Sequence, residues 1–242
     1  MIGAPGRALT YALIGVVAAA ALAFAAMRRE PRPLPARAPA ERPALMLVTS
    51  LPLMFSEDFS LSGGSPALKQ LQGRYRVVPI SVTSPGELAK GRLLLMAQPL
   101  AQTSENLVAL DDWVRGGGRV MILADPLLEW PSKRPLGDPL RPPPMFADTG
   151  LLGHWGLRLD APDVPAAEPR TLAGYRIVTL SPGVLFGRCG VSRDRLVADC
   201  QVGKGEAVVI ADADFIGTDK LGGGAFHNLD ALIATLAKLE RK

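Results

Sequence analysis

The sequence predicts an α/β protein: a mostly parallel sheet with helices on both faces, preceded by an N-terminal transmembrane helix and interrupted by a β-hairpin excursion. Three observations carry this. Short apolar runs at 44–49, 74–80, 92–97 and 119–124 alternate with helical stretches, the pattern of buried parallel strands covered on both sides. Residues 9–27 are an uncharged apolar stretch bracketed by Arg7 and by Arg28 and Arg29. Residues 184–189 and 196–202 flank a turn at 190–195, with period-2 alternation in LVADCQV, as in a hairpin.

In chain order, 1–8 form a short leader. Residues 9–27 rise ~28 Å as a helix, about one hydrocarbon core. A cleavable signal peptide is the alternative, with small-residue steps such as Ala21-Leu22-Ala23. Residues 28–43 form a Pro/Arg-rich stalk in extended polyproline geometry, and 44–242 the α/β domain. Arginines after the span favour a cytoplasmic C-terminal side. Short-leader spans and the cysteine usage described below favour export. The placement expected is a single pass through the inner (cell) membrane with the domain extracytoplasmic, or periplasmic.

The net charge of +4 resides wholly in residues 1–42, and the rest of the chain is balanced. With aromatics at 5%, this excludes a nucleic-acid partner. At 48% hydrophobic over 242 residues, a large core is available. Two cysteines and two histidines leave no four-cysteine or histidine-rich zinc centre, so no metal and no cofactor is expected.

Within the body, Ser65 caps a helix over 65–71 with Pro66 at its first position. Pro79 puts the 74–80 strand at an edge or at its end. A short helix follows at 85–90. Ser104 caps a helix with Leu107, Val108, Leu110 and Val114 on one face and Asp111 facing Arg115, and glycines 116–118 stop it. Residues 125–144 contain seven prolines and are irregular. Helix is expected over 146–155 and a short strand over 176–178. A last buried strand runs over 206–211, and a closing helix capped by Asn228 carries Leu229, Leu232, Ile233, Leu236 and Leu239 on one face.

Ligands of open α/β sheets meet the carboxyl ends of the strands. Asp125, Asp212 and Asp214 fall there, with Ser50 and Gln98 ending two other strands. Carboxylates so gathered bind a cation or polyol, or act as an acid/base pair. Alternatively they cap loops by accepting backbone N–H groups. His227 is a further candidate beside this edge; His154 reads as a packed turn residue. Neither glycine cluster, 116–118 or 222–224, has the Lys-Ser/Thr of a phosphate loop. Cys189 and Cys200 lie on the two hairpin arms. A cross-strand disulfide is the economical reading, two reduced thiols the alternative, and a disulfide implies an oxidising compartment.

The stretch LLLMAQPLAQTSENLVALDDWVRGGGRVMILADP (93–126) resembles the auxiliary domain of gliding-motility-type ABC transporters. GKGEAVVIADADFI (203–216), followed by FHNLDALIATLAKL, resembles that family's closing strand, Asp-rich turn and final helix. The resemblance implies an amidotransferase/flavodoxin-like fold, related to class I glutamine amidotransferases. It also implies membrane tethering, with an ABC transporter permease or another membrane protein as partner. Where amidotransferases place their nucleophilic Cys and an oxyanion N–H, this chain has Asp125 and Pro126, lacking both thiol and N–H. A non-catalytic binding or scaffold domain is therefore expected. The alternative is an Asp-dependent hydrolase or cation-dependent enzyme at the strand C-terminal edge.

Overall fold

A continuous run of apolar residues buries both faces of one strand, and the central strands of this molecule are such runs. A computed structural model describes residues 31–55, 64–221 and 225–241. Its first half comprises β1 (Ala44–Thr49), α1 (Pro66–Arg74), β2 (Arg76–Pro79), α2 (Pro85–Leu88), β3 (Leu93–Ala97), α3 (Ser104–Arg115) and β4 (Arg119–Leu123). After a long irregular stretch come α4 (Leu151–His154), β5 (Leu157–Asp160), β6 (Ala167–Leu172), β7 (Tyr175–Leu180) and β8 (Val184–Gly187). The chain closes with β9 (Gly190–Val191), β10 (Val197–Val202), β11 (Gly205–Ile210) and α5 (Asn228–Arg241).

The main sheet has seven strands in the order β2-β1-β3-β4-β11-β10-β9. The pairs from β2 to β11 are parallel; β10 and β9 join antiparallel. Leu95, Met121 and Val208 face a core shared with α1 and α5, while their neighbours Leu94, Val120 and Val209 face a second core with α3 and Trp155. The Ser65 hydroxyl accepts from Leu68 N at 3.1 Å, and Pro66 opens α1. α3 is capped by Thr103 rather than Ser104.

This architecture corrects the expected fold class. Strands dominate among the described residues, eleven against five α-helices, and α2 and α4 have only four residues each. The second half is antiparallel ribbon rather than further strand–helix units, because tight turns can join only antiparallel neighbours. β6 and β7 form one two-stranded sheet, joined through Ala173 and Gly174 with φ +51° and +85°. The expected hairpin is also rearranged. Residues 184–187 pair with β5, and the arm opposite β10 is the two-residue β9.

The stalk is corrected as well, because the folded unit begins at Pro33. Arg37 N donates to Gly73 O at 2.9 Å, and the Arg37 guanidinium binds Glu240 at 3.0 Å while lying 5.5 Å from the Tyr75 ring centre. Arg74 donates to Pro35 O. Residues 33–43 are thus a strap along α1 and α5.

Among the described residues no helix is long and apolar enough to cross a membrane. The single-pass inner-membrane placement, with its membrane and transmembrane assignments, is therefore unsupported and is withdrawn. The 9–27 segment on which it rested lies outside the described residues.

Candidate functional site

β4 and β11 are parallel neighbours with Leu123 opposite Ile210. Two residues past each partner, the chain reaches Asp125 and Asp212, so the pairing delivers both to the same edge. Both are fully buried and Asp214 is 3% exposed. A buried carboxylate needs donors for its oxygens, and here the protein's own backbone provides them. Asp125 Oδ2 accepts from Ala213 N at 2.8 Å and Asp214 N at 3.4 Å, and its Oδ1 from Leu127 N at 2.9 Å. Asp212 accepts from Phe215 N at 2.7 Å and Leu180 N at 2.9 Å. Asp214 accepts from Glu129 N at 2.7 Å.

Gln98 extends this network to β3. Its Oε1 accepts from Asp125 N at 3.0 Å, and its Nε2 donates to the carbonyls of Asp125 and Pro143, each at 3.2 Å. Its backbone sits at φ +44°, unusual for a residue with a side chain. The Ser50 hydroxyl donates to Gln98 O, tying in the end of β1. The irregular 125–144 segment is drawn over the edge by these bonds, and by Phe146 N to Asp125 O at 2.6 Å and Leu128 N to Pro144 O at 2.9 Å.

Electrostatically the cluster disfavours charge. Burial pushes Asp125 up to about 6 and the Glu129 carboxylate adds to this, against the three backbone donors. Burial likewise pushes Asp214 up to about 7, with Asp125 and Glu129 contributing. Asp212 is raised well above the usual range by burial, then by Asp125 and Asp214. Among the described residues no three His, Cys, Asp or Glu side chains are grouped to hold a metal ion.

His227 is placed by other contacts: its Nδ1 lies 3.4 Å from Asp230 and its ring 5.9 Å from Tyr175. Asn228 is not used as a simple helix cap. Buried, it bonds both backbone groups of Val178 and donates to Phe215 O at 2.8 Å, clamping β7 to the turn after β11. Sequence reasoning missed Glu129 and Ser181. The Ser181 hydroxyl donates to Glu129, and Ser181 has φ +45°. No pattern in a proline-rich segment marks such a pair.

Cys189 and Cys200 form a disulfide with Cα atoms 4.8 Å apart. Asp199 pairs with Gly190, so one step along the same register sets Cys200 against Cys189. His154 is half-exposed, with Nε2 3.3 Å from Asp111 and 3.2 Å from Arg115.

No family model and no curated protein matches this sequence. Among solved structures, the mmIFT52 N-terminal domain is similar at TM-score 0.53 and 12% identity, over 82% of this chain and 98% of that one. That likeness concerns the fold alone, and it is not to a flavodoxin-like domain. The cytoplasmic protein STM3548 from Salmonella typhimurium reaches TM-score 0.49 at 12% identity, over 81% of this chain and 98% of that one. The exo-β-1,4-mannosidase Op5Man5 from Opitutaceae bacterium strain TAV5 reaches 0.47 at 12% identity over 82% of this chain, which spans only 36% of the mannosidase. The last two lie too low to bear on the fold.

Proposed function

We propose that this is a non-catalytic binding or scaffold domain, accessory to an ABC-type transport system and acting through a protein partner such as a permease. The observation that supports a non-catalytic role is the occupancy of the strand-end carboxylates. Asp125, Asp212 and Asp214 are at most 3% exposed and accept from the domain's own amides. A substrate would have to displace the 125–144 segment to reach them. Asp125-Pro126 at the position of an amidotransferase nucleophile and oxyanion donor agrees with this reading. The transport association draws on the resemblance of 93–126 and 203–216 alone.

An Asp-dependent hydrolase or cation-dependent enzyme is the second reading, and the raised Asp125 and Asp214 favour it, since displaced carboxyl pKa values mark many active sites. Stability separates the two without a substrate. Catalytic groups are held at a cost in stability, so replacing them tends to stabilise. Structural acceptors behave oppositely. Asp212→Asn turns an NH2 toward Leu180 N or Phe215 N, and at pH 5, where repulsion among the carboxylates is relieved, it should cost roughly 1–3 kcal/mol. Thermal denaturation checks this. A variant that melts at or above the parent overturns the scaffold reading.

A further inference from the structure

The β5–β8 ribbon has two ends. At one, Gly183 N donates to Ala211 O, beside the closed carboxylate edge. At the other, Leu157 faces Gly187 and the ribbon borders a groove of about 560 Å³ between the α4–β5 turn and the end of β8. Glycines 153, 156 and 187 contribute to its lining. Gly187 is required there: at φ +151°, a Cβ would lie 2.2 Å from Gly156 O. The rim carries Arg158, Arg188 and half-exposed His154.

Phe186 organises the cations. Arg158 sits opposite Phe186 in register, with its guanidinium 4.6 Å from the ring centre. Arg195 approaches the same ring at 4.4 Å. Stacking occupies the flat faces of these guanidiniums; Arg158 gives one N–H group to the exposed Asp160 at 3.0 Å, and its remaining N–H groups suit planar carboxylates. Arg188 is held at its base, since its N–H donates to Gly156 O at 3.0 Å and the next residue is the disulfide-bonded Cys189. Arg195 N donates to Ser192 O, and Arg195 O accepts from Leu185 N, both at 2.9 Å. Counter-charge is sparse. Asp160 bonds Arg158 at 3.0 Å, and Asp111 is taken up by Arg115, His154 and Trp155. In a body of balanced charge this is a local concentration of positive groups, presented by anchored backbone.

We propose that this groove binds an extended acidic segment of a partner protein. Two guanidiniums on one phenyl ring stand at most about 9 Å apart, and carboxylates on alternate residues of an extended chain stand ~7 Å apart on one face. β5 pairs with β8 alone among the described residues, leaving its other edge for backbone pairing with such a segment. The inference rests on the binding reading and gives it a place and a ligand chemistry.

The test uses the full chain and a fluorescein-labelled peptide alternating Asp with Ser, alongside its Asn-for-Asp counterpart, by anisotropy at low and physiological salt. Expected is salt-sensitive binding of the Asp peptide only, weakened roughly five-fold each by Arg158→Gln and Arg188→Gln, with unchanged melting temperatures. Inorganic phosphate at matched ionic strength should not compete. No binding by the parent, equal binding by the arginine variants, or tighter binding of a DNA duplex or of anionic phosphatidylserine vesicles overturns the proposal. These failures leave the carboxylate edge untouched. The binding reading itself fails instead through a stabilising Asp212→Asn, so the two are distinguishable.

Discussion

The strand-end edge and the arginine groove hold opposite charges and opposite hydrogen-bond economies. At the edge, buried aspartates and Gln98 are saturated by backbone donors and acceptors from their own loops. At the groove, the Arg158 and Arg195 guanidiniums stack on one phenyl ring and extend from backbone that is itself bonded, and Arg158 meets an acid, Asp160, only at the exposed surface. The contrast teaches that a concentration of charged residues is not in itself a site. What distinguishes a binding surface from a fastening is whether the polar groups are buried among their partners, as Asp125 is, or exposed with donors to spare, as Arg158 is.

The strongest way to break the comparison is Gln98→Leu. It removes at once the acceptor for Asp125 N and the side-chain donor to Asp125 O and Pro143 O inside the buried edge, leaving Asp125 O its bond from Phe146 N. A loss of about 3 kcal/mol in denaturant unfolding is expected; a loss below about 0.5 kcal/mol would mean that the edge is no fastening. Next in size is the disulfide. Cys189→Ala together with Cys200→Ala opens an eleven-residue separation and should cost roughly 2–3 kcal/mol. Because Arg188 adjoins Cys189, this variant should also loosen the groove, and chemical denaturation paired with peptide anisotropy reads both effects.

The smallest expected effect is the pH dependence, and it sharpens the comparison by isolating the edge. Asp125 at about 6 and Asp214 at about 7 are raised above the unfolded value of about 3.9. Between about pH 4 and 7 the folded state therefore binds more protons than the unfolded one. The resulting stability is fully present below about pH 4 and is lost as pH rises through the folded values. The melting temperature should accordingly be several degrees higher at pH 5 than at pH 7.5. A flat profile would show that these carboxylates are not held as the buried network requires.

The central strands were legible because each is an unbroken apolar run after an arginine: 92–97 and 119–124 contain β3 and β4, and the acid that follows the second, Asp125, marks where β4 stops. The edge position of Asp125 and Asp212 followed from that spacing. The roles of Gln98 and Ser50 did not, since their partners are backbone groups 27 to 48 residues away. β6 was invisible, being polar with Pro169 inside it, and it forms only because β7 offers a partner. The strap at 33–43 was hidden by its proline content. Proline sets the extended shape, whereas Arg37 and its bond to Glu240 decide that the segment lies on the body.

β11 lies between β4 and β10 in the middle of the main sheet, although it is the last strand among the described residues. Until residues 205–210 emerge during synthesis, β4 presents an unpaired apolar edge and Asp125 lacks its donors at Ala213 and Asp214. Assembly of the layer must therefore wait for residues 205–210, a high-contact-order route that is slow and exposes a templating edge. A chain stopped before β11 should accordingly aggregate rather than form a smaller version of the same domain.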